Sequence, residues 1–358
     1  MGRYLLLDIG AGTLDMLCYD TDHELHYKAV VRSPVRVLAD EIRRTRGNLL
    51  VTGCEMGGGP VSQALIDRAK TAEVVMSAPS AATIHHDVQR VTAHGIRVVE
   101  AAEAEALRRD SRFYGIHTGD LQLDRLQRLV QGFGVPFEFD AVAICAQDHG
   151  AAPPGISHLD FRHRMFTAAL AQLPAPETLL YGSDQVPEEM NRLSAIATDA
   201  RALPAERVYV MDSGMAAILG ASMDVLAAKK KRILVLDIAT SHTVGAAMQG
   251  GLLCSFFEYH TMDVTASRLD RLLKDMADGK LSHRQILDEG GHGAYRRNAF
   301  GYDGVELILA TGPRRRLALE STLPIVFGAP WGDNMMTGTV GLMEAVRRRE
   351  GLPPISYL

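Results

Sequence analysis

The sequence predicts an α/β protein of two lobes, built by internal duplication around a ligand cleft. Short apolar strands alternate with amphipathic helices along the chain. The stretch Tyr4-Leu5-Leu6-Leu7-Asp8-Ile9 returns as Ile233-Leu234-Val235-Leu236-Asp237-Ile238, 229 positions later. A length of 358 residues exceeds one ordinary core and suits two domains.

The first element is the apolar run Tyr4–Leu7, ending at Asp8. Gly10, Gly12 and Thr13 form a turn into a second strand at Leu14–Tyr19, so the start reads as a hairpin. His26–Val31 extends it by a third strand, and Leu49–Thr52 reads as a buried one. After the triplet Gly57-Gly58-Gly59, Pro60 opens a helix, since the first helical position tolerates its missing N–H. Strands follow at Glu73–Met76, Arg97–Val99 and Ala141–Cys145, with a helix at Leu121–Val130. Phe161, Met165, Phe166, Ala169, Leu170 and Leu173 repeat at helical spacing and form one apolar face.

Val208–Met211 reads as a strand, and Asp212-Ser213-Gly214 turns the chain into a helix of small residues, Met215–Ala227. The basic run Lys229–Arg232 is a solvated connection before the repeated strand. Val264–Met276 is amphipathic through Leu269, Leu272, Leu273 and Met276. Val305–Leu309 runs into Thr311-Gly312-Pro313-Arg314-Arg315-Arg316, and Ile325–Phe327 leads to Pro330-Trp331-Gly332-Asp333-Asn334. The last helix, Met335–Arg349, opens with Thr337, Gly338, Thr339 and Gly341, which permit close packing. The divisions expected are 1–211 for the first lobe, 212–328 for the second, and 329–358 for a helix returning to the first.

The two Asp-Ile strand ends suit phosphate. Gly10 and Gly12 let an oxygen approach the backbone, and Thr13 adds a hydroxyl. A carboxylate repels phosphate, so Asp8 and Asp237 suit Mg²⁺, which then bridges to the phosphate oxygens. Ser241, His242 and Thr243 supply donors on the second side.

These residues resemble the superfamily of actin, the heat-shock chaperone ATPases and the sugar kinases. Asp8–Asp15 is similar to its first phosphate loop, Asp212–Gly220 to its first connecting helix, and Asp237–Thr243 to its second phosphate loop. Ile308–Arg316 occupies the adenosine position and Gly338–Ala345 the second connecting helix. The resemblance implies a two-lobed actin-like ATPase fold of duplicated ribonuclease-H-like domains, with ATP and Mg²⁺ in the cleft. It implies nucleotide contact at Asp8, Gly10, Gly12, Thr13, Asp237, Ser241, Thr243, Gly312 and Arg314, with Arg314 stacking on adenine. One position departs: the superfamily carries Gly two residues after the second Asp, and this chain has Ala239, whose methyl limits phosphate approach.

A closer resemblance is to a poorly characterised family labelled pyruvate formate-lyase activating enzyme. It rests on Gln147-Asp148-His149-Gly150, Glu258-Tyr259-His260-Thr261, Gly290-Gly291-His292-Gly293, Gly312-Pro313-Arg314-Arg315 and Ala329-Pro330-Trp331-Gly332-Asp333. A radical S-adenosylmethionine activase needs three cluster thiolates in a CxxxCxxC array. The chain has only Cys18, Cys54, Cys145 and Cys254, widely scattered, so that activity is set aside.

Asp148 and His149 follow a predicted strand, where α/β folds line their crevices. Asp148 reads either as the base that takes a proton from an acceptor or as a loop cap. Glu258, His260 and His292 read as substrate or phosphate contacts in preference to metal ligands. Asp160, Arg162 and Arg164, a charged cluster opening the Phe161 helix, read as a solvated face, with a functional role as the minority alternative.

A net charge of −5 argues against a nucleic-acid binder. No apolar run reaches the ~20 residues of a membrane span. Met1-Gly2-Arg3-Tyr4 leads straight into a strand, so no signal peptide is expected, and the scattered thiols suit a cytoplasmic protein. The leading function is an ATP-dependent kinase for a small molecule, or an ATPase. The alternatives are an ATP-dependent activator of a partner metalloenzyme and a nucleotide sensor with little turnover.

Overall fold

A computed structural model describes residues 2–153 and 155–355. The outermost positions of the first and third expected divisions, 1 and 356–358, lie outside the described residues. In chain order the strands are β1 Arg3–Ile9, β2 Thr13–Asp20, β3 Leu25–Arg32, β4 Asn48–Gly53, β5 Val74–Ser77, β6 Arg97–Val99, β7 Phe113–Thr118 and β8 Phe139–Ala146. They continue as β9 Leu180–Gly182, β10 Ala205–Asp212, β11 Arg232–Ile238, β12 His242–Gln249, β13 Leu252–His260, β14 Gly293–Arg296, β15 Leu307–Thr311 and β16 Ile325–Phe327.

Three sheets form, in the orders β3-β2-β1-β8-β10-β9, β14-β13-β12-β11-β15-β16 and β6-β5-β4-β7. The first two are copies of one plan. Each begins with an antiparallel meander, β1-β2-β3 or β11-β12-β13. Each then adds parallel strands beside the first strand of its meander. The hairpin registers coincide as well: Ile9 pairs with Leu14 and Ile238 with Thr243. The two-lobed duplicated α/β arrangement expected from the repeated motif is therefore present, down to single residues.

The register sharpens the comparison of the two loops. Gly10 is equivalent to Ala239, Thr13 to His242, Leu14 to Thr243 and Asp15 to Val244. Both turns close the same way. The Gly10 N–H donates to the Thr13 carbonyl, and the Ala239 N–H donates to the His242 carbonyl, each at 3.0 Å. Ala239 thus sits in a turn that does not require glycine.

Residues 48–118 carry the parallel sheet β6-β5-β4-β7 with its own apolar core around Leu49, Val51, Leu65, Val74 and Met76. The strand readings found β4, β5 and β6 but missed β7, and did not show that they form a separate sheet. All four strands are short, and pairing partners are not visible in hydrophobic pattern alone. Arg192 ties this unit to the first lobe through a bidentate pair with Asp120, at 2.8 and 2.9 Å.

Two helices fill the middle of the molecule. Ser213–Ser222 and Thr337–Glu350 are each buried around most of their circumference, as expected of helices lacking a polar face. They cross backbone to backbone. A Cβ on Gly220 would lie 1.8 Å from the Thr337 carbonyl oxygen, and one on Gly341 would lie 1.8 Å from that of Ala216. Their core residues belong to one continuous apolar cluster with β1, β8, β11 and β12. A second cluster packs the Ala266–Ala277 helix onto the opposite face of the second sheet.

Two helix readings change. The small-residue helix ends at Ser222, short of Ala227, where the buried Asp224 accepts the N–H groups of Leu226 and Ala329. Leu173 lies beyond the His158–Leu170 helix and is half exposed, so it does not extend that helix's apolar face.

Candidate functional site

A cavity of about 1240 Å³ lies between the two copies and the parallel-sheet unit. Asp8, Gly10, Gly12, Thr13, Asp148, His149, Asp237, Ser241, Glu258, His260, His292 and Gly312 all line it. Two expected site residues do not. Thr243 is fully buried, and its hydroxyl lies 3.0 Å from that of Thr261. Arg314 is exposed, leaving Gly312 and Pro313 as the cavity wall of that segment.

At one end, the repeated strand ends bring Asp8 and Asp237 together. Both carboxylates open into the cavity, yet protein surrounds the cavity floor. Burial pushes Asp8 up to about 6. Asp237 rises to about 7, through burial and then the charge of Asp8. Asp15 joins them from β2, opposite Asp8 in the hairpin register. Its Oδ1 is buried without a hydrogen-bond partner among the described residues. Burial, followed by the Asp8 charge, pushes Asp15 up to about 8. Three carboxylates held this way are poorly compensated, and a bound cation would lower the cost of ionising each.

Small residues shape this end. A Cβ on Gly338 would sit 2.1 Å from Asp8 Oδ2, so the last helix can pass only as glycine. Gly312 has φ +87°, and its Cβ would meet Asp237 Oδ1 at 2.7 Å. A Cβ on Gly12 would meet Thr240 Oγ1 at 3.1 Å, so the two turns face each other across a narrow gap. Asn334 Nδ2 donates to the Gly312 carbonyl at 3.1 Å, joining the adenosine-position segment to the start of the last helix.

The other end is built around Arg162. Its guanidinium donates to Asp212 at 2.8 Å and to Glu258 at 2.5 Å, linking the His158–Leu170 helix to both lobes. The solvated reading of Arg162 is corrected: the residue is buried and stacks over Phe166 at 4.5 Å. Burial alone would raise Glu258, but the Arg162 charge and His292 hold its carboxyl well below the usual range. Gln147 Nε2 also donates to Glu258. Asp212 caps the Ser213–Ser222 helix through the Met215 N–H at 3.1 Å.

Asp148 has both oxygens occupied. Oδ1 accepts from the Gly150 N–H at 2.8 Å and Oδ2 from the Leu193 N–H at 2.9 Å, the geometry of the loop-capping alternative. His149 projects into the cavity beside His292, with ring centroids 5.6 Å apart. Although the residue is exposed to the open cavity, desolvation by the cavity walls and then the Arg162 charge lower the His149 pKa, so its ring is neutral at ordinary pH. The glycines around His292 answer to packing. A Cβ on Gly291 would meet the Tyr259 ring at 2.9 Å, and Gly293 has φ +119° against His283.

Sequence reasoning missed Asp15, Arg162 and Arg192 as site residues. Asp15 lies in a strand, seven positions after Asp8, and only pairing across the turn makes the two neighbours. The burial of Arg162 and Arg192 depends on partners far along the chain, so no local pattern marks them.

Residues 56–317 match the family described as "Putative pyruvate format-lyase activating enzyme (DUF1786)". The chain belongs to this family. The matched span carries β5, β6 and β7 of the parallel-sheet unit, the second turn, Arg162, Glu258 and all three cavity histidines of the second sheet. No curated protein matches the chain. Solved structures of related chain path include an activator of the 2-hydroxyisocaproyl-CoA dehydratase from Clostridium difficile with bound ADPNP. That match has 9% identity, covers 99% of each chain and has a TM-score of 0.37. A Bacteroides thetaiotaomicron protein with actin-like ATPase fold and unknown function matches at 8% identity, over 96% of this chain and 95% of that one, with TM-score 0.37. The ROK hexokinase from Thermus thermophilus matches at 11% identity, over 97% of this chain and all of that one, with TM-score 0.32. Among the described residues, no helix is long and apolar enough to cross a membrane.

Proposed function

We propose that the protein binds ATP with Mg²⁺ in this cavity and transfers the terminal phosphate to a small molecule or to water. The observation that carries the reading is the meeting of Asp8, Asp15 and Asp237 on the cavity floor. A hard divalent cation takes carboxylate and water oxygens, and it turns three mutually repelling acids into a site attractive to polyphosphate. The Gly10–Thr13 turn and the equivalent Ala239–His242 turn flank that floor, where phosphates would lie. Gly312 and Pro313, braced by Asn334, form the wall available to the adenosine portion.

Catalysis on this reading is positioning plus charge neutralisation. Asp8 and Asp237 would hold the cation, which would supply charge neutralisation for the phosphate oxygens. His149 faces the same cavity, with its ring 6.2 Å from that of His242, as a neutral polar contact for an acceptor; its lowered pKa makes it a weak base. Asp148 is better placed to hold the loop that presents His149. The family's descriptive name is not carried over as an activity, because the chain lacks the CxxxCxxC array that a radical activase uses for its cluster.

Mg-ATP should raise the melting temperature of the purified chain, and ATP with excess chelator should raise it much less. Asp8→Ala should abolish the Mg²⁺-dependent part. Absence of any shift at millimolar Mg-ATP would overturn the reading; a shift that survives in Asp8→Ala would overturn the role given to Asp8.

A further inference from the structure

We propose that His242, His260 and His292 form a binding site for one divalent transition-metal ion of the zinc class, separate from the carboxylate floor. The inference goes beyond the nucleotide reading and does not depend on it.

Three neighbouring stretches of the second sheet bring these rings together. His242 and His260 are direct cross-strand partners in β12 and β13. His292 precedes β14, and its N–H donates to the Glu258 carbonyl at 2.8 Å, which fixes it beside His260. Ring centroids lie 4.7 Å apart for His242 and His260, 4.7 Å for His242 and His292, and 4.3 Å for His260 and His292. One nitrogen from each ring can be chosen such that all three lie within 4.8 Å of one another. Imidazole nitrogens at ~2.0–2.1 Å from one metal lie about 3.3 Å apart, so small ring shifts would bring this set to coordination distance.

The outer nitrogens support the same conclusion. His242 Nδ1 lies 2.9 Å from Ser241 Oγ, while its Nε2 is buried without a partner among the described residues. The Nε2 atoms of His260 and His292 lie 3.0 Å apart. One N–H···N bond would satisfy that pair but would leave His242 Nε2 orphaned. A shared metal satisfies all three. Behind His292, Nδ1 is buried 3.4 Å from Glu258 Oε1 without hydrogen-bond geometry, so the carboxylate places negative charge behind the ring without holding it. The Arg162 charge near the cluster is offset by Asp212 and Glu258, so the surround is net negative and does not repel a cation.

The donor set selects the metal. Three imidazoles without thiolate suit Zn²⁺, Co²⁺, Ni²⁺ or Fe²⁺, whereas Mg²⁺ prefers the oxygens of the floor. Three protein ligands leave a fourth position open to the cavity for water or a substrate oxyanion, the arrangement of catalytic sites. The duplication shows where the site arose: the position of His242 in the second hairpin is that of Thr13 in the first. One turn carries a hydroxyl where its copy carries an imidazole.

The test uses the full-length chain, stripped of metal by chelator and titrated with Co²⁺ in the absence of nucleotide. One Co²⁺ per chain should bind with the intense visible bands of a four-coordinate ion, and Zn²⁺ should displace it. His260→Asn and His292→Asn should each weaken Co²⁺ binding beyond the about 10–100-fold typical of losing an outer-shell partner. His94→Asn, on the exposed surface, should leave it unchanged. The pale spectrum of hydrated Co²⁺ throughout the titration, or equal affinity in all variants, would overturn the proposal. Should the histidine variants unfold, X-ray absorption of the Zn²⁺-loaded wild type decides, since fewer than three imidazoles at the metal would overturn it. Because no nucleotide is present, failure of the ATP reading would leave this result untouched.

Discussion

Asp15 shows how burial beside a second acid displaces the titration of one side chain. Its folded pKa of about 8 stands above the ordinary value of 3.8, as do those of Asp8 and Asp237. The sign follows from linkage: between the ordinary and raised values the folded state holds protons that the unfolded chain has released. Stability from these groups is therefore complete below about pH 4 and is lost as pH rises toward about 8 in metal-free protein. Melting temperatures across that range should show this decline, and saturating Mg-ATP should flatten it. Asp15→Asn should shrink the decline in metal-free protein and weaken the response to Mg²⁺. Arg162 presents the opposite case, a buried cation shared by Asp212 and Glu258. Arg162→Met leaves two buried carboxylates without their partner and should cost about 3–5 kcal/mol by urea denaturation.

The crossing of the Ser213–Ser222 and Thr337–Glu350 helices depends on having no side chain at Gly220 and Gly341. A methyl at either place meets a backbone carbonyl, which cannot rotate away as a flexible side chain can. Gly220→Ala and Gly341→Ala should each destabilise by at least the about 1–3 kcal/mol of an overpacked core, read by denaturant midpoint. Their combined effect should fall short of additive, since the first methyl already separates the helices. Ala239→Gly makes the contrasting prediction. The turn bond it sustains comes from the backbone N–H, and the equivalent Gly10 makes the same bond. This variant should change the melting temperature by little, and Mg-ATP affinity measured by calorimetry should change less than in Asp8→Ala.

The molecule as a whole places one cavity where both copies and the parallel-sheet unit meet. A nucleotide lying over the Asp8 and Asp237 floor would touch both lobes. Hydrogen exchange with Mg-ATP should therefore slow at the Gly10–Thr13 turn, the Ala239–His242 turn and the Gly312 segment together. Protection confined to one lobe would contradict a shared cleft. Arg162 and Arg192 give the assembly long-range ties, one across the lobes and one to the inserted sheet.

Periodicity and repetition were enough to establish the duplicated α/β plan. Strand ends at Asp8 and Asp237 carry their own local signature, because an apolar run that stops at an acid and a turn is a property of adjacent residues. The same holds for Gly338 and Gly312, whose smallness announces a close approach without naming the partner. What approaches what was decided only by tertiary structure. Asp15 became a third acid through cross-strand register, and Thr243 moved into the core in the place of Leu14. Arg162 left its expected solvated face for a buried bridge. The three histidines, separated by 18 and 32 positions in the chain, became neighbours because β12, β13 and the lead into β14 lie side by side. Sequence spacing governs contacts within a helix or a turn; contacts between strands depend on pairing and register, which the chain settles only as it folds.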